Sequence, residues 1–218
     1  MSEDKVLSCI DCGVVHCDKG KGEFPAFCPT TQAVTEEDIA EVKALYQEEE
    51  NQRSMQAAAG VEYDGYCNLT RVQEIMEYAK RIGAKKIGIA TCVGLIRESR
   101  MLAKIFRYHG FEVYGVGCKV GCIPKHEIGL PGEHETLGVH TCNPIMQAKL
   151  LNEAGTDLNV VVGLCVGHDS LFYKYSNALV TTAVTKDRVL GHNPVAALYS
   201  AEYYYKNKLF PEKEEKSE

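Results

Sequence analysis

The sequence predicts an α/β protein: a three-layer, open, mostly parallel sheet of about four strands with flanking helices, plus a small, irregular, cysteine-rich N-terminal segment. Three observations lead there. From residue 85 onward, short runs rich in β-formers alternate with segments of helical periodicity, the pattern of βαβ units joined by right-handed crossovers. Residues 1–34 carry four cysteines and little periodicity of either kind. The 218 residues hold no internal repeat and no long low-complexity stretch, and suit one α/β domain with an appendage. The expected organisation is a cysteine-rich segment over 1–34, an α/β domain over 35–210 and a charged tail over 211–218.

Taken in order, the elements justify themselves locally. Thr35 is an N-cap, with Glu36, Glu37 and Asp38 in a first turn where the helix dipole favours anions. Ile39, Val42, Leu45 and Tyr46 make one apolar stripe, and the helix is expected to run to about Ala59 and stop at Gly60. A second helix opens on a Thr70/Gln73 capping box, carries Val72, Ile75, Met76, Ala79 and Ile82 on one face, and closes at Gly83. KKIGIATC (85–92) and FEVYGVGC (111–118) are strands that end in cysteine, separated by a helix with Leu95, Leu102, Ile105 and Phe106 on its apolar face. A long Gly-, Pro- and His-bearing loop over 119–142 precedes a helix capped by Asn143, with Pro144 at its first position. DLNVVVGLC (157–165) and ALVTTAV (178–184) are the last two strands, and NPVAALYSAEYYY (193–205) is a final helix.

Composition narrows the function. The net charge of -6 and the absence of basic clusters argue against nucleic acid or an anionic membrane as partner. No apolar run approaches the ~20 residues that span a bilayer. The start, MSEDKVLSCIDCG, has no secretory apolar core, so a cytoplasmic location is expected. Ten cysteines in a reducing compartment point to metal or thiol chemistry rather than disulfides.

Those cysteines fall in two groups. In the first, Cys9 and Cys12 are two residues apart and followed by Gly13, with Cys17 and Cys28-Pro29 beyond. A tight turn lets both thiolates of such a pair reach one ion, and four thiolates make a closed tetrahedral site for zinc. Three close cysteines with a remote Cys-Pro equally suit an iron–sulfur cluster, although Cys12 and Cys17 are more widely spaced than in the usual ferredoxin run. His16 is an alternative ligand or a plain loop histidine.

In the second group, Cys92, Cys118 and Cys165 end strands, Cys122 follows Cys118 in the loop, and Cys142 precedes the Asn143 cap. Ligands of parallel sheets bind at the carboxyl ends of strands, and packing alone would scatter cysteines along them. These five therefore either hold a second metal centre or include a reactive thiol, with Lys119, Lys125, His126 and His168 as assisting groups. Cys165, His168 and Asp169 are the candidate catalytic set, with Asp169 alternatively a helix cap. Lys186, Asp187 and Arg188, with Gly191-His192-Asn193-Pro194 beyond, follow the fourth strand and either form a solvated loop before the Asn193 cap or lend charge to the same cleft. Cys67 reads as a core thiol, and GLPGEHETLG as a surface loop or a lid. Neither a Walker A sequence nor a Rossmann fingerprint is present; Gly115, Gly117 and Gly121 miss its spacing.

CIDCGVVHC, IATCVGL, GCKVGC and above all GLCVGHDSLFYKYSNALVTTAVTKDRVLGHNP resemble a family of uncharacterised metal-binding proteins of anaerobic bacteria and archaea, the domain of unknown function numbered 1847. The resemblance covers nearly the whole chain. It implies Cys9, Cys12, Cys17 and Cys28 as metal ligands, with Cys92, Cys118, Cys142 and Cys165 as further candidates, and brings no known reaction. Three functions follow: a redox metalloprotein with a cysteine-lined site and a redox partner protein, a thiol-dependent enzyme with a structural zinc, or a metal sensor or carrier. A cluster requires three or more cysteines converging on one point; a thiol enzyme requires one accessible, acidic cysteine beside a His or Lys.

Overall fold

The expected single helix over 35–59 resolves into two. The computed structural model describes residues 6–14 and 16–212; the side chain of His16 and the tail from 213 onward lie outside the described residues. The chain divides into two compact units after Gln56, so the boundary expected at residue 34 falls inside the first.

The first unit holds 3-10 turns at Cys9–Asp11 and His16–Lys19, the one-turn helix α1 (Pro29–Gln32), α2 (Glu36–Leu45) and the start of α3 (Glu49–Gly65). The capping box of α2 is formed, with Asp38 N–H donating to Thr35 Oγ1 at 3.1 Å and Thr35 N–H to Asp38 Oδ2 at 2.9 Å. Asn51 explains the break that follows: its amide donates to Leu45 O and to Glu48 Oε2, both at 3.0 Å, and so terminates one helix from within the next. Gly60 does not stop α3. A Cβ there would lie 2.1 Å from Arg81 Nη1, so its role is close approach rather than termination. The stripe of Ile39, Val42, Leu45 and Tyr46 stays half-exposed rather than buried.

In the second unit, α4 (Arg71–Arg81) opens on Thr70, whose N–H donates to Gln73 Oε1 at 3.0 Å as the capping box expects. Then come β1 (Lys86–Thr91), α5 (Ile96–Tyr108), β2 (Glu112–Gly117), α6 (Pro144–Glu153), β3 (Leu158–Val162), α7 (His168–Tyr175), β4 (Leu179–Val184), and the short α8 (Val195–Tyr199) and α9 (Lys206–Leu209). Helix α7 is not among the expected elements. The expected helix over 193–205 is broken: Ser200 Oγ donates back to Ala196 O at 2.5 Å, and turns replace helix through the tyrosine run.

All four strands are parallel, in the order β2-β1-β3-β4. Alternation decides the layers. Ile87, Ile89, Leu158, Val160 and Val162 pack with Ile75, Ala79, Leu102 and Phe106 of α4 and α5. The intervening Ala90, Val116 and Val161 pack with Ala148, Leu151 and Phe172 of α6 and α7. Helices thus cover both faces, and the central strands β1 and β3 are buried almost throughout. Each fully buried Leu, Val or Phe contributes about 1.5–3 kcal/mol, enough in sum to hold a sheet whose edges remain partly exposed. The order also fixes the site. The chain leaves β1 on one side for β2 and returns on the other for β3, so strand order reverses between β1 and β3, and a crevice opens at their carboxyl ends.

Candidate thiol site at the carboxyl edge of the sheet

The ladders run one step past the strands and set two cysteines on that edge. Cys92 N–H donates to Val162 O at 3.1 Å, and Cys118 N–H to Thr91 O at 2.8 Å. Strand β3 stops short of Cys165, where the sequence pattern carries it, because Gly163 turns away at φ +59°. Its N–H is bonded to Val184 O at 2.7 Å, and a Cβ there would lie 1.9 Å from Leu95 Cδ1. Cys165 therefore sits in the turn before α7.

Cys142 arrives by a different route. The excursion after β2 carries 3-10 turns at Lys125–Ile128 and Gly132–Leu137, and its two arms are stitched at the base. Lys125 N–H bonds to Val139 O at 3.0 Å, Thr141 N–H to Ile123 O at 2.8 Å, and Asn143 N–H to Cys118 O at 2.7 Å. The last bond sets Cys142 beside Cys118. Asn143 caps α6 as expected, with Met146 N–H donating to Asn143 Oδ1 at 3.0 Å and Pro144 in the first turn.

Two thiols and an imidazole are neighbours here. Cys118 and His168, the first residue of α7, are the neighbours that act most strongly on the Cys142 sulfur. Cys118 is the largest cause that holds Cys142 well below the usual thiol range; His168 and the charge of Lys119 add to it, and burial opposes it. Cys118 is driven the other way, first by Cys142 and then by burial, despite a bond from Val93 N–H to Cys118 Sγ at 3.4 Å. Cys92 stands close enough to add to the upward push on Cys118. The two are pushed apart, half-buried Cys142 toward the thiolate and buried Cys118 toward the protonated thiol.

Beneath the pair lies Gln147, fully buried on α6. Its amide nitrogen donates to Thr91 O at 3.1 Å and Val116 O at 2.7 Å, and so ties α6 to the ends of β1 and β2. Its Oε1 has no partner among the described residues. Sequence reasoning passed over it. The available signal was a polar residue on the helix stripe of Pro144, Gln147, Ala148 and Leu151.

The remaining candidates take other places. Cys165 Sγ accepts from Arg188 Nη2 at 2.9 Å, so the His168 expected beside Cys165 serves Cys142 instead. Asp169 accepts from Ser170 N–H at 2.8 Å in the first turn of α7. Cys122 is exposed, in the left-handed region at φ +48°. Lys119 Nζ donates to His140 O at 2.6 Å within reach of Cys142. Lys125 bonds to His134 O, and His126 pairs with Glu135 at 3.1 Å, both within the excursion.

In the first unit, Cys9 and Cys17 are exposed, and half-buried Cys12 donates to Val14 O at 3.2 Å. Cys28 is buried at the start of α1. Burial pushes its thiol up, but hydrogen bonds from Thr30 and Thr31 together outweigh that and leave it below its ordinary value. Among the described residues no three His, Cys, Asp or Glu side chains come together as a shared metal ion requires. Nor is any described helix long and apolar enough to cross a membrane.

A family model described as a protein of unknown function (DUF1847) matches residues 28–183, which takes in Cys28 and all four strands. Over 209 residues the chain is 44% identical to the uncharacterised protein MJ0455 of Methanocaldococcus jannaschii, covering 93% of this chain and 98% of that one. On both grounds the chain belongs to the DUF1847 family.

Proposed function

We propose that this protein is a cytoplasmic thiol-dependent redox enzyme whose working pair is Cys142 and Cys118, with its N-terminal cysteines holding a structural metal. The observation that supports it is the adjacency of the two cysteines at the sheet edge, Cys118 buried and Cys142 half-buried, with Asn143 N–H on Cys118 O at 2.7 Å and His168 acting on Cys142. In thiol–disulfide exchange the accessible thiolate attacks and the neighbouring thiol resolves.

With a disulfide RSSR the steps balance. The Cys142 thiolate attacks one sulfur; a Cys142–SR bond forms, the S–S bond breaks and RS⁻ leaves. Cys118 gives up its proton to that RS⁻. The Cys118 thiolate then attacks Cys142 Sγ, the Cys118–Cys142 bond forms and a second RS⁻ departs. Two electrons pass from the cysteines to the substrate, which ends as one thiol and one thiolate. A reducing dithiol restores the protein. Asn143 N–H on Cys118 O keeps the two backbones in register for bond formation.

A second reading keeps a metal or iron–sulfur cluster at the same edge. Cys92 adjoins the Cys118–Cys142 pair and His168 stands on it, a set of soft donors suited to zinc or iron. Among the described residues these donors do not converge as one ion requires. For the first unit the metal rests on the spacing of Cys9, Cys12, Cys17 and Cys28. Oxidation with one equivalent of 2-hydroxyethyl disulfide, followed by non-reducing peptide mass spectrometry, separates the readings. The Cys118–Cys142 cross-link, and a mixed disulfide trapped at Cys142 in Cys118→Ser, are expected. Unchanged reactivity in Cys142→Ser would overturn the dithiol.

A further inference from the structure

Lys186 sits two residues beyond β4, where the chain has just passed a bulge: Val161 pairs with Thr182 but Val162 with Val184. The loop that follows brings Lys186 to the segment just after β1. A methyl group built on Gly94 would meet Cys92 Sγ and Lys186 Nζ, each at 3.7 Å, so thiol and ammonium border one small space. Lys186 is half-buried, and among the described residues its ammonium has no hydrogen-bond or ion-pair partner. Nearby carboxylates are occupied elsewhere. Asp187 Oδ1 accepts from Val189 N–H and Leu190 N–H, both at 2.8 Å, and Asp169 accepts from Ser170 N–H. The loop is held in place, with His192 N–H on Asp187 O at 2.9 Å and Asp187 N–H on His192 Nδ1 at 3.1 Å. Arg188 adds a second cation on Cys165, and Lys119 a third near Cys142. In a chain of net charge -6, the thiol edge is thus flanked by cations on the β2 and β4 sides.

We infer that Lys186 binds the anionic group of a small, acidic disulfide substrate beside the thiol pair. This rests on the dithiol reading of the site and adds the substrate class to it. A half-buried ammonium without a counter-charge is costly to keep in place, and an anionic ligand supplies the missing partner. Cys92, between Lys186 and Cys118, lines the path from the anion to the reacting sulfurs.

Three disulfides of similar size test it: dithiodiglycolate (anionic), 2-hydroxyethyl disulfide (neutral) and cystamine (cationic). The readout is the second-order rate of mixed-disulfide formation at Cys142 in the full chain carrying Cys118→Ser. Expected is a preference of about tenfold for the anion over the neutral compound, with the cation slowest, narrowing as salt rises. Lys186→Met should remove the preference, with a circular dichroism spectrum matching that of the parent showing that the variant is folded, and Lys186→Arg should retain it. Equal rates for all three compounds, or a preference that survives Lys186→Met, would overturn the inference and leave the dithiol standing. Failure of the neutral compound to react at Cys142 would overturn the dithiol reading, and this inference with it.

Discussion

At the scale of single residues, the chemistry lies in how two chemically identical thiols are made unlike. Cys118 is buried and pushed up; Cys142 is half-buried and pushed down by its neighbours Cys118 and His168. A thiol whose value is lowered by folding stays ionised as pH falls below the ordinary thiol range, and loses its charge only when pH passes the lowered value. Alkylation of Cys142 by iodoacetamide should therefore stay nearly constant from pH 8 down to about 6, where an ordinary cysteine slows roughly tenfold per unit. His168→Ala removes one of the neighbours that favour the thiolate. Its alkylation profile, read peptide by peptide, should move toward alkaline pH by about one unit, with the loss of rate greatest near pH 4. A profile unmoved by that change would mean that His168 does not act on Cys142.

At the scale of elements, the edge is built by terminations. Strands β1 and β2 are prolonged by one hydrogen bond each, β3 is cut short at Gly163, and β4 is offset by a bulge. Helix α6 contributes both its capped start, beside Cys142, and the Gln147 clamp on Thr91 O and Val116 O. Gln147→Ala loses both bonds and leaves a cavity between helix and sheet. We expect a loss of about 2 kcal/mol, read as a lower urea midpoint at constant slope. Because the clamp sits under the reacting pair, the same variant should also slow Cys118–Cys142 cross-linking; a variant of native stability would show that the clamp contributes nothing.

At the scale of the whole molecule, the cysteines divide with the chain. Cys9, Cys12, Cys17 and Cys28 lie in the unit up to Gln56, and Cys92, Cys118, Cys142 and Cys165 in the unit beyond it. The proposed functions divide the same way. Metal and acid-labile sulfide analysis of protein purified without oxygen should find metal that is lost in Cys9→Ser/Cys12→Ser and retained in Cys118→Ser/Cys142→Ser. Retention in the first and loss in the second would move the metal to the sheet edge and favour the cluster reading there.

The sequence by itself determined the fold class, since alternating periods of two and 3.6 residues dictate which face each side chain buries, and that decides layers and strand direction. It also marked the thiol edge, because Cys92 and Cys118 follow β-rich runs directly and Asn143-Pro144 announces a helix start. Local signals misled where a distant partner decides. Gly60 reads as a stop until Arg81 is seen against it, Asn51 ends a helix from beyond it, and the run into Cys165 turns early because Leu95 crowds Gly163. Which sulfur meets which was never in the sequence. The pairing of Cys142 with Cys118, the turn of His168 from Cys165 to Cys142 and the placing of Lys186 beside Cys92 all depend on hydrogen bonds between segments far apart along the chain. Periodicity is a property of neighbours in the chain; a reactive pair is a property of neighbours in space, and only the packed structure brings the two thiols together.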